Sequence, residues 1–227
     1  MASEKVKLLG SWVSPFVIRA RVALNIKSVP YDFLEEKFGS KSDLLLKYNP
    51  VYKKMPVLIH NDKSVCESLI IVQYLDDVWA SSGWSILPVD PYDRAEARFW
   101  ATYVDDKLYP NLRDITFTQG EEAKSDAIKQ LEEALTLLEG AFHGCSKGKK
   151  FFGGDKVGFL DIALGSYIAW VMVTEEFNSV KLLDEAKVPG LAKWAKDFCE
   201  DDVAKEIVSS TEKLSEFMKM ISANMKK

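Results

Sequence analysis

Short apolar runs and longer apolar stripes divide the chain into two unequal parts. Near the start, Val6-Lys7-Leu8-Leu9 reads as a buried strand, and Ser14-Pro15 opens a helix. A serine at the N-cap can accept an orphan amide proton, and proline at the first helical position lacks an N–H that would have gone unbonded there. A second strand reads through Tyr31 to Glu35, and a short helix follows Ser40. Met55-Pro56-Val57-Leu58-Ile59-His60, the turn-like Asn61-Asp62-Lys63 and Ser64-Val65-Cys66 then read as an antiparallel hairpin. A helix from about Glu67 to Trp79 closes a β-α-β-α-β-β-α unit, which predicts a mixed sheet covered by helices.

Between Ala80 and Pro91 the periodicity breaks over Ser81-Ser82-Gly83-Trp84, Pro88 and Asp90-Pro91, which reads as a linker. Beyond Tyr92 strand signals largely vanish. Ala127, Leu131, Leu135, Leu138 and Phe142 mark one helical stripe, and Val203, Ile207, Leu214, Phe217 and Ile221 another. Leu160 to Val173 is apolar on nearly every side and predicts a buried central helix. At its start, Asp161 stands where an N3 carboxylate reaches back to the N-cap amide of Gly158, so it reads as a structural cap. The expected organisation is an α/β domain over residues 1–82 and an all-α domain over 90–227.

Composition narrows the classes. With 227 residues, 47% of them hydrophobic and 28% charged, the chain is globular and long enough for two cores. A net charge of −4 gives no general attraction for nucleic acid. The opening Met-Ala-Ser-Glu-Lys-Val-Lys lacks the apolar centre of a signal peptide, and Phe159 to Val173 is too short to span a bilayer. A cytosolic protein with no membrane contact is expected. Cys66, Cys145 and Cys199 are odd in number and widely spaced, and His60 and His143 fit no ligand pattern, so neither disulfides nor a metal is predicted.

The chemistry centres on Ser11 to Arg19, which sets the Ser14 hydroxyl at the positive end of a helix, a place for an anion. A thiol of pKa ~8.5 is mostly protonated at neutral pH, so ionising it takes a hydrogen-bond donor and a favourable dipole. Lowering that pKa by about two units needs about 2.7 kcal/mol, within reach of a hydroxyl and a helix N-terminus together. Taken alone, Ser-Pro reads first as a cap. Residues downstream change the weight. Pro56 after Met55 invites a cis peptide, which would turn the Met55 backbone toward an extended ligand. Ser68 and nearby amides at a helix start can hold a carboxylate and Glu67 an ammonium, while Lys41 and Lys54 offer charge to a second carboxylate.

Ser14-Pro15-Phe16-Val17-Ile18-Arg19, Asn49-Pro50 with Lys54-Met55-Pro56-Val57-Leu58, Glu67-Ser68-Leu69-Ile70-Ile71-Val72-Gln73-Tyr74-Leu75, and Gly158-Phe159-Leu160-Asp161-Ile162-Ala163 occur in this order. By these motifs, and over almost its whole length, the chain resembles the cytosolic glutathione transferases, and most of all the plant tau class. Gly158 stands where the wider family often has Ser or Thr, at a cost of tenths of a kcal/mol at most.

The resemblance implies an α/β thioredoxin-like N-terminal domain followed by an all-α helical domain, assembled as a homodimer. Glutathione is the implied co-substrate, with no prosthetic group. Its thiolate would be conjugated to hydrophobic electrophiles in detoxification and stress response, and peroxide reduction could accompany this. Ser14 would be the catalytic hydroxyl, Lys41 and Lys54 would meet the glycyl carboxylate, Met55 would pair by backbone with the cysteinyl unit beside Pro56, and Glu67 with Ser68 would hold the γ-glutamyl end. Trp12, Phe16, Tyr109, Trp170 and Phe217 are the candidates for the electrophile's apolar site, in a cleft between the domains; a core role for each is equally open. Arg19 would either tune the field of the site or pair with a carboxylate on the helix surface.

Two rivals stay in view. A thiol reductase passes through a mixed disulfide that a serine at position 14 cannot form. A carrier of apolar small molecules would bind without reacting, and the sequence leaves that reading open.

Overall fold

A computed structural model of the chain describes residues 5–37, 39–118, 120–208 and 210–225, with side chains to residue 221. The opening residues 1–4 lie outside that set. The chain forms two compact units, Met1–Leu87 and Pro88–Lys227.

In the first unit the elements follow the predicted order: β1 (Val6–Gly10), α1 (Pro15–Ile26), β2 (Asp32–Glu35), α2 (Asp43–Tyr48), β3 (Val57–His60), β4 (Lys63–Cys66) and α3 (Ser68–Val78). The sheet has the order β2-β1-β3-β4. Strand β1 runs parallel to β2, with Leu8 opposite Phe33, and antiparallel to β3, with Leu8 opposite Leu58. The β3–β4 turn is tighter than the sequence suggests. Asn61 and Asp62 both take positive φ, 47° and 66°, and Lys63 already pairs with His60. A two-residue hairpin loop with both residues left-handed matches the twist of its strands, and Asn and Asp are the side chains that tolerate it.

Helices α1 and α3 pack together, and α1 is buried along most of its length. It lies close to β1 because Gly10 has no side chain. A Cβ there would stand 2.6 Å from both γ-methyls of Val17, which is wholly buried and held to one rotamer in a helix. Gly10→Ala is therefore expected to destabilise the protein by about 1–3 kcal/mol, read as a lower midpoint in chemical unfolding.

The stretch from Ala80, read above as linker, is bound into the first unit. The Asp76 carboxylate accepts the amides of Ile86 (2.9 Å) and Leu87 (3.0 Å) and pairs with the Lys27 ammonium at 2.7 Å. Lys27 also donates to the Trp84 carbonyl at 2.7 Å, and the Ser82 hydroxyl donates to the Lys27 carbonyl at 2.6 Å. A segment without periodicity is thus held by side chains tens of residues away.

The second unit consists of α4 (Pro91–Phe117), α5 (Glu121–Ser146), α6 (Phe159–Gly165), α7 (Ile168–Asn178), α8 (Pro189–Glu200) and α9 (Thr211–Met225). Asp90 caps α4 through the amides of Tyr92 and Asp93, and the predicted α5 stripe from Ala127 to Phe142 is buried. Two expectations need correction. The central apolar stretch bends between α6 and α7, where the Tyr167 amide bonds back to Leu164, three residues away instead of four. Gly165 at that bend meets the Phe198 ring, which would clash with any side chain there. The last stripe is also not one helix. Val203 and Ile207 lie in turns, because the chain leaves α8 at Asp201 in an extended conformation, and only Leu214, Phe217 and Ile221 belong to α9.

Asp161 is fully buried and joins several pieces of this unit. Its Oδ1 accepts from the Phe152 amide (2.8 Å) and the Trp194 indole (2.7 Å), and its Oδ2 from the amides of Gly153 and Gly158 (2.8 Å each). Burial pushes its pKa up to about 6, against the pull of these donors. The cap read from the sequence is present, and the carboxylate does more than cap. Among the described residues no helix is long and apolar enough to cross a membrane.

Candidate active site

The turn between β1 and α1 presents Ser14. The Ser14 amide bonds to the Ser11 carbonyl at 3.0 Å, and the Glu35 carboxylate at the end of β2 takes the Ser11 hydroxyl (3.1 Å) and the Trp12 amide (3.3 Å). Ser14 occupies the N-cap of α1 with φ −80° and ψ 119°, followed by Pro15 at N1. Its hydroxyl makes no capping bond, which corrects the simpler reading of Ser-Pro. The cause is local: the Val17 amide, the donor such a hydroxyl would take, is bonded to Ser14's own carbonyl at 3.0 Å. Ser14 is half-buried, at the end of the helix where the dipole favours negative charge.

The Met55–Pro56 peptide is cis. Met55 is half-buried, Pro56 buried, and Lys41 and Lys54 are exposed. The approach to this peptide is fixed by Asn49, a buried residue quoted above in a motif but given no role there. Its Nδ2 donates to the Lys54 carbonyl at 2.8 Å and its Oδ1 accepts the Tyr52 amide at 3.1 Å. The Asn-Pro pair was the available signal, since such dipeptides mark turns.

At the start of α3, Glu67 is exposed and adopts φ 70°, ψ 120°, a left-handed conformation that costs an ordinary side chain about 1–3 kcal/mol. No sequence pattern announces it. Ser68, the first residue of α3, is buried and accepts a hydrogen bond at 3.3 Å from Nη1 of Arg19. Arg19 is itself fully buried, which excludes the surface pairing considered above, and its guanidinium lies 5.3 Å from the centre of the Phe16 ring. The first unit thus links Phe16, Arg19 and Ser68 directly, with Ser14 at the head of the same helix as Arg19.

The remaining apolar candidates are distributed over both units. Trp12 and Phe16 are half-buried in the first. In the second, Tyr109 of α4 is exposed with its ring 6.4 Å from that of Tyr167, while Trp170 of α7 and Phe217 of α9 are half-buried. Helix α7 packs against both α4 and α9, so these three residues sit on neighbouring helices.

The histidines are engaged elsewhere: Nδ1 of His60 is 2.8 Å from the Tyr74 hydroxyl, and Nε2 of His143 is 3.1 Å from Glu139. Among the described residues no group of three or more His, Cys, Asp or Glu side chains could hold a metal ion. The three cysteines are free thiols. Burial raises the pKa of each, with the neighbouring Glu67 carboxylate adding to the effect at Cys66, and Cys199 is pushed up to about 11.

Comparison with known proteins identifies the family. The family model for the glutathione S-transferase N-terminal domain matches residues 4–77, and that for the C-terminal domain matches residues 93–202. Glutathione S-transferase U17 of Arabidopsis thaliana is 61% identical over 221 residues, covering 97% of each chain, and U18 of the same plant is 58% identical over an equal span. Among solved structures, the tau class glutathione S-transferase of mango, Mangifera indica, superposes with a TM-score of 0.92 at 60% identity, covering 95% of this chain and 98% of the other. Rice GST1, solved in complex with glutathione, superposes with a TM-score of 0.89 at 36% identity over 99% of each.

Proposed function

Since the chain belongs to the glutathione S-transferase family, and within it to the tau class, we propose that it activates the thiol of glutathione through the Ser14 hydroxyl and transfers the thiolate to hydrophobic electrophiles. The observation that carries this reading is the state of Ser14. It stands at the N-terminus of a twelve-residue helix with its hydroxyl unspent on the helix's own amides. A hydroxyl so placed can donate to a sulfur, and the helix end stabilises the charge that results. The product is a thioether, formed as the thiolate displaces a leaving group or adds to an activated double bond. The protein forms no covalent bond of its own and acts by raising the thiolate fraction and holding both reactants.

The other contacts follow the tripeptide. The rice relative bound to glutathione supports a glutathione site in this fold. Here Glu67 and Ser68 would take the γ-glutamyl end, the Met55 backbone beside Pro56 the cysteinyl unit, and Lys41 with Lys54 the glycyl carboxylate. The strained backbone of Glu67 supports this assignment, because such conformations gather at ligand clamps. Trp12, Phe16, Tyr109, Trp170 and Phe217 would line the electrophile's site. Family membership further supports a cytosolic homodimer with glutathione as co-substrate and peroxide reduction as a side activity.

The test is Ser14→Ala. Turnover of an aryl halide electrophile is expected to fall at least about tenfold with the fold intact and the KM for glutathione within a few-fold of wild type. Ultraviolet titration of the bound thiolate should show its pKa rising, so the rate profile moves to higher pH. Undiminished turnover with an unmoved titration would overturn the mechanism.

A further inference from the structure

Resting on the reading just given, in which Ser68 meets the γ-glutamyl end of glutathione, we propose that Arg19 is a positioning residue that makes Ser68 a donor to the tripeptide's α-carboxylate and so sets selectivity for that group. A serine hydroxyl has one hydrogen to give and two lone pairs to receive with. Whether it greets a ligand as donor or acceptor depends on what occupies the other side. Here the other side holds Nη1 of Arg19, 3.3 Å from Ser68 Oγ, and a guanidinium can only donate. An oxygen that accepts from Arg19 still has its own hydrogen free to point at a ligand. That suits a carboxylate, and the cation behind the hydroxyl disfavours an ammonium.

Two further facts make Arg19 suited to this work. Its side chain is completely buried, so its charge is poorly screened by water and strengthens the donor character of the hydroxyl it touches. The guanidinium also lies over the Phe16 ring, on the helix that begins at Ser14, so its position is tied to the segment that presents the thiol-activating hydroxyl. One side chain thereby relates the two ends of the bound tripeptide's nearer half.

The experiment separates this role from simple support of the fold. Three thiol peptides are compared in wild type, Arg19→Gln, Arg19→Lys and Ser68→Ala: glutathione, the analogue lacking the α-carboxylate (4-aminobutanoyl-Cys-Gly), and the analogue lacking the α-amino group (glutaryl-Cys-Gly). In wild type, loss of the carboxylate should lower kcat/KM by about thirtyfold or more, mainly through KM. In Arg19→Gln and in Ser68→Ala that penalty should shrink to about threefold or less, while the penalty for losing the amino group stays as in wild type. Arg19→Lys, which keeps a charged donor, should retain part of the carboxylate penalty. If Arg19→Gln and Arg19→Lys lower the rates with all three peptides by one common factor, Arg19 only supports the fold and the proposal fails. Should Arg19→Gln not fold, a full wild-type penalty in Ser68→Ala would equally defeat it, since Arg19 acts through that hydroxyl. A wild type indifferent to the carboxylate would instead defeat the placement of the γ-glutamyl end on which the proposal rests.

Discussion

Replacing Asp161 by alanine is expected to lower the stability of the protein by about 3–5 kcal/mol. The carboxylate is wholly buried and receives four donors, three backbone amides and the indole of Trp194, all within 2.8 Å. Alanine removes the acceptor and leaves these donors inside the protein, and each unsatisfied buried donor costs about 1–3 kcal/mol before relaxation. In calorimetry the loss should appear as a fall in Tm of about 6–20 °C. Asparagine should recover only part of it. Each Asp161 oxygen serves two donors, and an amide nitrogen placed at either position would face N–H groups with N–H groups. A fall of less than about 2 °C on substitution by alanine would mean that water replaces the carboxylate at little cost.

Asp76→Ala is the second large effect. This carboxylate pairs with the ammonium of Lys27, whose side chain has no exposure, and also accepts the amides of Ile86 and Leu87. Removing one partner of a buried pair strands the other, at a cost of about 3–5 kcal/mol. The two roles of Asp76 are separable. In Lys27→Met with Asp76→Leu no charge is left buried, and this pair should be less destabilised than Asp76→Ala. Full recovery is not expected, because the two amides still lack an acceptor. Equilibrium unfolding in urea of the single and paired variants measures the difference. If the paired variant is no more stable than Asp76→Ala, the buried charge is not the source of the loss.

Much of the fold was written locally. The short apolar run Val57–Ile59, the Asn-Asp turn and the Ser-Pro helix start are near-neighbour patterns, and the structure has the β-α-β-α-β-β-α order they predict. The apolar stripe of α5 is likewise a matter of three- and four-residue spacing. Legibility fails where a residue's fate depends on a distant partner. Arg19 reads either as a cation tuning the site's field or as a surface partner for a carboxylate until Ser68, 49 positions on, is seen to accept from it. Nothing local to Lys27 announces that Asp76 and the Trp84 carbonyl enclose it. Stripe arguments also overreach across a break: Val203 and Ile207 continue the period of α9 but belong to turns after α8. The positive φ of Glu67 had no signal at all, since glutamate is not a residue that favours it.

For a glutathione S-transferase, the placement of its own sulfur matters as much as that of the borrowed one. Cys66, Cys145 and Cys199 are each partly enclosed, and their thiols hold their protons more firmly than a free cysteine does. At a pKa of about 11, only about one Cys199 side chain in ten thousand is ionised at pH 7, and the ionised form is the one an alkylating agent attacks. Burial thus keeps these three thiols in the protonated form that alkylating agents attack slowly.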